Sequence, residues 1–295
     1  MLLFSYLKDN QNQLGYVFED NWYDLGHELA VSSSSVSLRK VKNIVELIEK
    51  NLLNHTDLVA ITSRPGKSAL CYKKIIFQSP IGIPRNIIGV GRNYGAHADE
   101  GGLEPQKEPR LFAKLTTSIT GHREKINRPE NVKKLDWEGE LGVIIGKTLK
   151  AANESESLSA IAGYTSLNDI TAREFQFDRS PGQTTFAKSH DTFCPIGPAM
   201  LVANDIIRHD AFKIETCVNG KQMQQGKTDD LIFPIPYLIS YISRYISLQP
   251  GDVIATGTPA GVGHFREPPV YLQPGDVVRV KVSGLPYLEN KVVQI

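Results

Sequence analysis

The sequence predicts an α+β fold that is mostly β, with a small N-terminal α+β domain over residues 1–80 and a larger strand-rich domain over residues 81–295. Three observations predict it. Glycine and proline are sparse in the first 80 residues, 5 in all, and dense in the remaining 215, which hold 36. That density signals many short strands joined by tight turns. Short apolar runs of strand length recur along the whole chain. Helical spacing of apolar residues is confined to a few brief windows.

The elements follow in order. LLFSYL (2–7), LGYVFED (14–20) and WYDL (22–25) read as strands, and the serine run at 32–35 reads as a loop. Val41, Ile44, Val45, Ile48 and Leu52 have helical spacing, with Ser37 as the expected N-cap. PIGIPRN (80–86) is the expected linker. Beyond it, ELGVIIG (140–146), DVIATG (252–257), DVVRVKV (276–282) and the final KVV read as strands, two of them introduced by Pro-Gly-Asp turns. KIETCVNGKQMQ (213–224) is a hairpin, because Asn219-Gly220 is a dipeptide that a type I′ turn favours. Helices are expected near 155–161, 171–178 and 234–247. The last has Leu238, Ile239, Ile242, Tyr245 and Ile246 on one face and prolines at its start.

Composition narrows the function. The chain has 33 basic and 32 acidic residues and a formal net charge of +1, so it offers no electrostatic footprint for nucleic acid or an anionic membrane. No apolar run approaches the roughly 18 residues that span a bilayer. The opening MLLFSYLKDNQNQ reaches polar residues too early for a signal peptide. Three cysteines, Cys71, Cys194 and Cys217, are too few and too far apart for a disulfide framework or a zinc knuckle. A soluble, cytoplasmic protein with a small-molecule substrate is the expectation.

Several segments could carry chemistry. Glu138 and Glu140, in WEGELG, would face the same side of a strand about 6.5–7 Å apart. In a dry site two such carboxylates resist ionisation together, and a divalent cation relieves that conflict. Oxygen ligands suit Mg²⁺, with Mn²⁺ or Ca²⁺ as substitutes. Taken alone, the pattern fits an exposed edge better, since charges are mostly solvated. Asp169 ends an apolar stretch just before a helical turn, where it either points into a site or caps the turn. His97 and Glu100, at i and i+3, share a helical face; a carboxylate beside an imidazole suits a general base, although the spacing is commoner in surface pairs. The surrounding GVGRNYG has GxGxxxG spacing, which is not the dinucleotide fingerprint. GTPAGVG (257–263) lacks the Gly-Lys-Ser/Thr of a phosphate-binding loop. Lys188 is either a carboxylate-binding group or a surface lysine. Cys194 reads as a core residue, and no Gly-x-Ser-x-Gly elbow is present.

Jointly these segments resemble the fumarylacetoacetate hydrolase family. The matching runs are GRNYGAHADE (91–100), PRLFAKLTTSITG (109–121), DWEGELGVIIGK (136–147), GYTSLNDITAREFQ (163–176), FAKSHDTFCPIGP (186–198), VNGKQMQQGKTDDLIF (218–233) and GDVIATGTPAGVG (251–263). They cover about residues 80–295 in the expected order. The resemblance implies a mixed β-sheet rolled into a barrel-like sandwich, usually dimeric. It implies Glu138, Glu140 and Asp169 as ligands of Mg²⁺ or Mn²⁺, His97 and Glu100 as a catalytic pair, and Lys188 as a site lysine. It places Arg173, Gln176, Lys114 and Thr258 along the substrate site. Relatives commonly carry Thr-Ala-Arg-Asp where this chain has Glu174, which affects local contacts only. The N-terminal segment and GHFREPPVYLQPGD (263–276) resemble the longer bacterial and mitochondrial members, some of which act on oxaloacetate.

The expected enzyme therefore acts on 2-oxo dicarboxylates or acylpyruvates. The ion serves as a Lewis acid that stabilises an enolate beside the 2-oxo group. The same enolate serves hydrolysis of a carbon–carbon bond, decarboxylation of oxaloacetate, or tautomerisation. A 2-hydroxyhepta-2,4-diene-1,7-dioate isomerase-type activity and a non-catalytic metal- or ligand-binding homologue are the alternatives.

Overall fold

The computed structural model describes all residues except 101, 103–105 and 205–208, and the side chains of residues 98 and 99. Among the described residues, twelve strands share one mixed sheet. Its main path runs Ala69–Leu70, Asn21–Asp24, Gln11–Phe18, Leu2–Lys8, Cys194–Val202, Ile161–Asn168, Gly139–Ile145, Val253–Ala255, Ile87–Gly91 and Arg110–Lys114. A five-stranded sheet runs Lys221–Lys227, Lys213–Val218, Val277–Val282, Leu288–Gln294 and Lys125–Arg128. Most neighbours are antiparallel; the joints of Val253–Ala255 with Ile87–Gly91 and of Leu288–Gln294 with Lys125–Arg128 are parallel.

Ile214 and Val282 of the smaller sheet share one apolar core with Leu141, Val143 and Tyr164 of the larger. The sandwich follows from that burial. Among the described residues the hydrogen bonding does not close into a barrel, because the large sheet ends on two different strands, Ala69–Leu70 and Arg110–Lys114. Strand Gly139–Ile145 is buried at every residue, as a strand covered on both faces must be. The expected hairpin forms across residues 213–227, and Asn219 (φ 50°) and Gly220 (φ 80°) adopt the left-handed conformation its turn requires.

The large sheet is continuous across residue 80. Leu2 pairs with Leu201 and Leu3 with Met200, so the N-terminal strands extend the sheet that carries the site. The helix expected from Val41 onward differs in detail. Ser35 caps a separate short helix, Val36–Arg39, and Ser37 lies inside it. The next helix, Ile44–Glu49, is capped by Asn43, whose side chain accepts the Glu46 N–H at 2.9 Å. Apolar spacing alone does not register a break between two helices that bury the same face. Helix Ile235–Tyr245 buries Leu238, Ile239 and Ile242 as expected, while Tyr245 and Ile246 are exposed.

Candidate active site

Three buried carboxylates converge where two antiparallel strands run out. Gly139 pairs with Asn168 and Glu140 with Leu167. Glu138 enters that strand and Asp169 leaves its neighbour, and the Asp169 N–H donates to the Glu138 carbonyl at 2.8 Å. The Asn168 side chain holds the Glu138 N–H at 3.0 Å. Ligand atoms of Glu138, Glu140 and Asp169 lie within 4.8 Å of one another, with exposures of 6%, 1% and 0%. The exposed edge that the local pattern favoured is therefore replaced by an interior cluster. Asp169 caps no helix; the following turn, Arg173–Phe177, has Ala172 at its N-cap.

Cations surround part of the cluster. Lys188 Nζ donates to Glu138 Oε2 at 2.7 Å, Asp169 Oδ2 at 2.6 Å and Thr171 Oγ1 at 2.8 Å. Lys114 Nζ donates to Asp169 Oδ1 at 2.6 Å and to the Lys188 carbonyl. Arg173 pairs with Glu138 through Nη2 at 2.7 Å and with Asp136 through Nε at 2.8 Å. Burial alone would push the Glu138 carboxyl up, but the charges of Lys188, Arg173 and His97 outweigh it and hold it near about 2. Lys188 is shifted the other way, upward: burial disfavours its charge, and Asp169 and Glu138 more than offset that.

Glu140 is placed differently. Its Oε2 accepts the Gly257 N–H at 2.8 Å. Burial, then the charges of Asp169 and Glu138, push its carboxyl well above the usual range, with Lys188 opposing. A cluster of three buried carboxylates, one of them strongly reluctant to ionise, fits a divalent cation. An all-oxygen donor set suits a hard ion.

His97 and Glu100 sit on the short helix Gly95–Glu100. His97 Nδ1 lies 2.7 Å from Glu100 Oε1, and Glu100 Oε2 accepts the Gly261 N–H at 2.8 Å. Gly261 has φ 104°, and a Cβ there would lie 2.1 Å from the Met223 carbonyl oxygen. Only glycine brings this N–H to the carboxylate. With Nδ1 held by Glu100, Nε2 is the ring nitrogen available for proton exchange.

One cavity brings several of these groups together. His97, Glu138, Arg173, Gln176, Lys188 and Thr258 all line it, together with Phe112, Phe177 and Phe265. Lys114 is placed elsewhere. It is 2% exposed and lies behind Asp169 rather than on the cavity wall, because it ends a strand whose last residue points inward.

Two supporting residues escaped the sequence reading. Asp136 is fully buried. It receives N–H groups from Trp137, Gly263 and His264 at 2.9, 2.7 and 3.0 Å besides Arg173. It thereby fixes the guanidinium that meets Glu138. Gln224 donates to Thr258 Oγ1 at 2.7 Å and accepts the Gly139 N–H at 3.0 Å. Asp136 adjoins the Trp-Glu-Gly-Glu run, and that adjacency was its available signal. Gln224 lies within the VNGKQMQQGKTDDLIF run, but nothing local indicates that it reaches Thr258 from the second sheet. Glu174 serves a local purpose, accepting the N–H groups of Lys133 and Lys134 at 2.6 and 3.1 Å.

Residues 86–293 match the family described as fumarylacetoacetate (FAA) hydrolase C-terminal. The chain is 38% identical over 220 residues to the mitochondrial oxaloacetate tautomerase FAHD2A of Bos taurus, covering 75% of this chain and 70% of that protein. Among solved structures it is similar to the fumarylacetoacetate hydrolase of psychrophilic Exiguobacterium antarcticum, with TM-score 0.83 and 32% identity over the whole of both chains. It is also similar to the maleylpyruvate hydrolase of Sphingobium sp. SYK-6 in complex with manganese(II) and pyruvate, with TM-score 0.79 and 27% identity, covering 100% of this chain and 99% of that one. On this sequence match, the shared fold and a buried acidic triad beside a His–Glu pair, the chain belongs to the fumarylacetoacetate hydrolase family of enzymes.

Proposed function

We propose that this chain is a divalent-metal-dependent enzyme of 2-oxo acids, and that enol–keto tautomerisation of oxaloacetate is its first activity. One observation carries the reading: Glu138, one member of the buried acidic cluster, and the carboxylate-oriented His97 line the same cavity. A Mg²⁺ or Mn²⁺ ion held by Glu138, Glu140 and Asp169 would supply an electrophile for the 2-oxo group. Lys188 and Arg173 bind the substrate's negative charge. His97 Nε2 removes or returns the proton at the carbon next to the carbonyl, and Glu100 orients the imidazole and stabilises its protonated form. Thr258, held by Gln224, and Gln176, held by Arg173 Nη1 at 2.7 Å, position the substrate's oxygens.

The likeness to a maleylpyruvate hydrolase supports a second reading, hydrolysis of an acylpyruvate, in which His97 takes its proton from water instead. Both readings are tested on purified protein with oxaloacetate and acetylpyruvate, before and after chelation. Turnover should vanish with chelator and return with Mn²⁺ or Mg²⁺. Metal-loaded protein that turns over no 2-oxo acid would leave only a non-catalytic binding protein. The reading extends to a homodimer, expected to sediment at about twice the 32.7 kDa chain mass, and to a cytoplasmic location.

A further inference from the structure

His264 stands one ring behind the cavity wall, and the chemistry described so far does not use its side chain. Arg173 and Phe177 begin and end one short helix. Residues at i and i+4 of a helix are neighbours on its surface, and the Arg173 guanidinium carbon lies 5.9 Å from the Phe177 ring centroid. Phe177 lines the cavity and is 42% exposed, so its own helix leaves much of the ring unsupported. His264 supplies a support. Its imidazole stacks on the Phe177 ring, with centroids 4.8 Å apart and planes 16° from parallel, within the range that aromatic pairs favour.

His264 is itself held at three points. Its backbone N–H donates to Asp136 Oδ2 at 3.0 Å, the same oxygen that accepts Arg173 Nε at 2.8 Å. The preceding Gly263 lies so close to the returning chain that a Cβ there would overlap the Val270 carbonyl oxygen, and the Val270 N–H donates to the Gly263 carbonyl at 2.9 Å. That closure brings Tyr271 back, with its hydroxyl 2.9 Å from His264 Nδ1. Burial, then the charge of Arg173, push the imidazole below its usual pKa, with Asp136 opposing, so a neutral ring makes the stack.

The contacts close on themselves. Asp136 holds Arg173, Arg173 lies over Phe177, Phe177 stacks on His264, and His264 returns to Asp136. The guanidinium is thereby fixed along its edge by a carboxylate and across its face by a ring, and His264 touches both.

We propose that His264 is a positioning residue for Arg173: it fixes the Phe177 ring against the guanidinium, and so the orientation in which Arg173 meets Glu138 and presents its charge to the cavity. The kinetic consequence rests on the proposed 2-oxo acid chemistry, in which Arg173 binds the substrate's negative charge.

The test uses metal-loaded protein and two readouts. The first is the Nε–H signal of Arg173 in protein labelled with ¹⁵N-arginine, identified by its loss in Arg173→Lys; the Phe177 ring current makes it sensitive to that ring's position. The second is KM and kcat for oxaloacetate. His264→Val should move the signal. It should raise KM about 3–10-fold, the worth of one aromatic pair, with kcat within about twofold of wild type, as when binding common to ground and transition states is lost. His264→Phe keeps a flat ring and should recover at least half of both changes. The double variant His264→Val/Phe177→Leu should be no worse than the poorer single variant, because both break one line of contacts. An unmoved Arg173 signal in His264→Val, no recovery in His264→Phe, or additive losses in the double variant would overturn the inference. Should His264→Val fail to fold, Tyr271→Phe takes its place: it keeps the imidazole and removes its hydroxyl partner, and an unmoved signal there counts equally against the positioning role. Wild type that turns over no 2-oxo acid would remove the proposed activity, while the Arg173 signal would still decide the role of His264.

Discussion

The two halves of the site are held in opposite ways. The carboxylate cluster stands on the ends of two central strands, is almost wholly buried, and is braced by Lys114, Lys188, Arg173 and the backbone N–H of Gly257. The His97–Glu100 pair stands on a six-residue helix; among the described residues it meets the loop at Gly261 by a hydrogen bond from that residue's N–H to Glu100 and the Phe265 ring by a tilted contact with His97. The difference teaches that the proposed charge-binding and proton-transfer groups are built on separate supports. The cluster needs rigidity, since a misplaced buried charge is costly. The imidazole needs only orientation, which one carboxylate supplies.

The comparison can be broken by substituting each half. Asp169→Ala should have the largest effect. It removes a proposed metal ligand and strands Lys114 and Lys188 without their shared partner. Turnover should disappear, metal binding by calorimetry should weaken sharply, and denaturant unfolding should show a loss of about 3–5 kcal/mol. Folded, active Asp169→Ala protein would show that the cluster is not the chemical centre. His97→Ala should lower kcat by about 10²–10⁴ while leaving Mn²⁺ affinity and unfolding midpoint close to wild type. If metal affinity fell with kcat, the two halves would be one unit. Asp136→Asn sharpens the contrast at the smallest scale. Asp136 touches neither the cluster nor the cavity, yet it anchors Arg173. Its loss should cost about 10–100-fold in activity or metal affinity, with Asp136→Glu restoring less than half of that. Unchanged kinetics would mean that Arg173 is held well enough by Glu138 and Gln176.

How much of this was legible beforehand depended on whether neighbours in sequence are neighbours in space. Glu138 and Glu140 are two residues apart on one chain segment, so their convergence was readable from strand geometry. Their burial was not. It depends on the strands on either side, which come from residues 161–168 and 253–255. Read locally, Asp169 fits a helix cap better than a site residue. Lys114 was expected on the substrate wall and stands behind Asp169, because the strand's alternation decides which side of the cluster it faces. Arg92 and Arg110 belong to the GRNYG and PRLFAK runs, but what sets one beside the other is a pairing of strands separated by nearly twenty residues.

By itself, the sequence determined the mostly β class, the Asn-Gly hairpin, the change in glycine and proline density near residue 80 and the order of the family's motifs. These are local properties, set by backbone preferences and by spacing along the chain. Only the tertiary structure decided that the large sheet continues across residue 80 and does not close into a barrel. It also decided that the acidic cluster is interior, and that its cations number Lys114 and Arg173 as well as Lys188. The physical reason is the same in each case. Burial, ion pairing and sheet register are set by groups far apart in the chain, and their energies exist only once those groups have met.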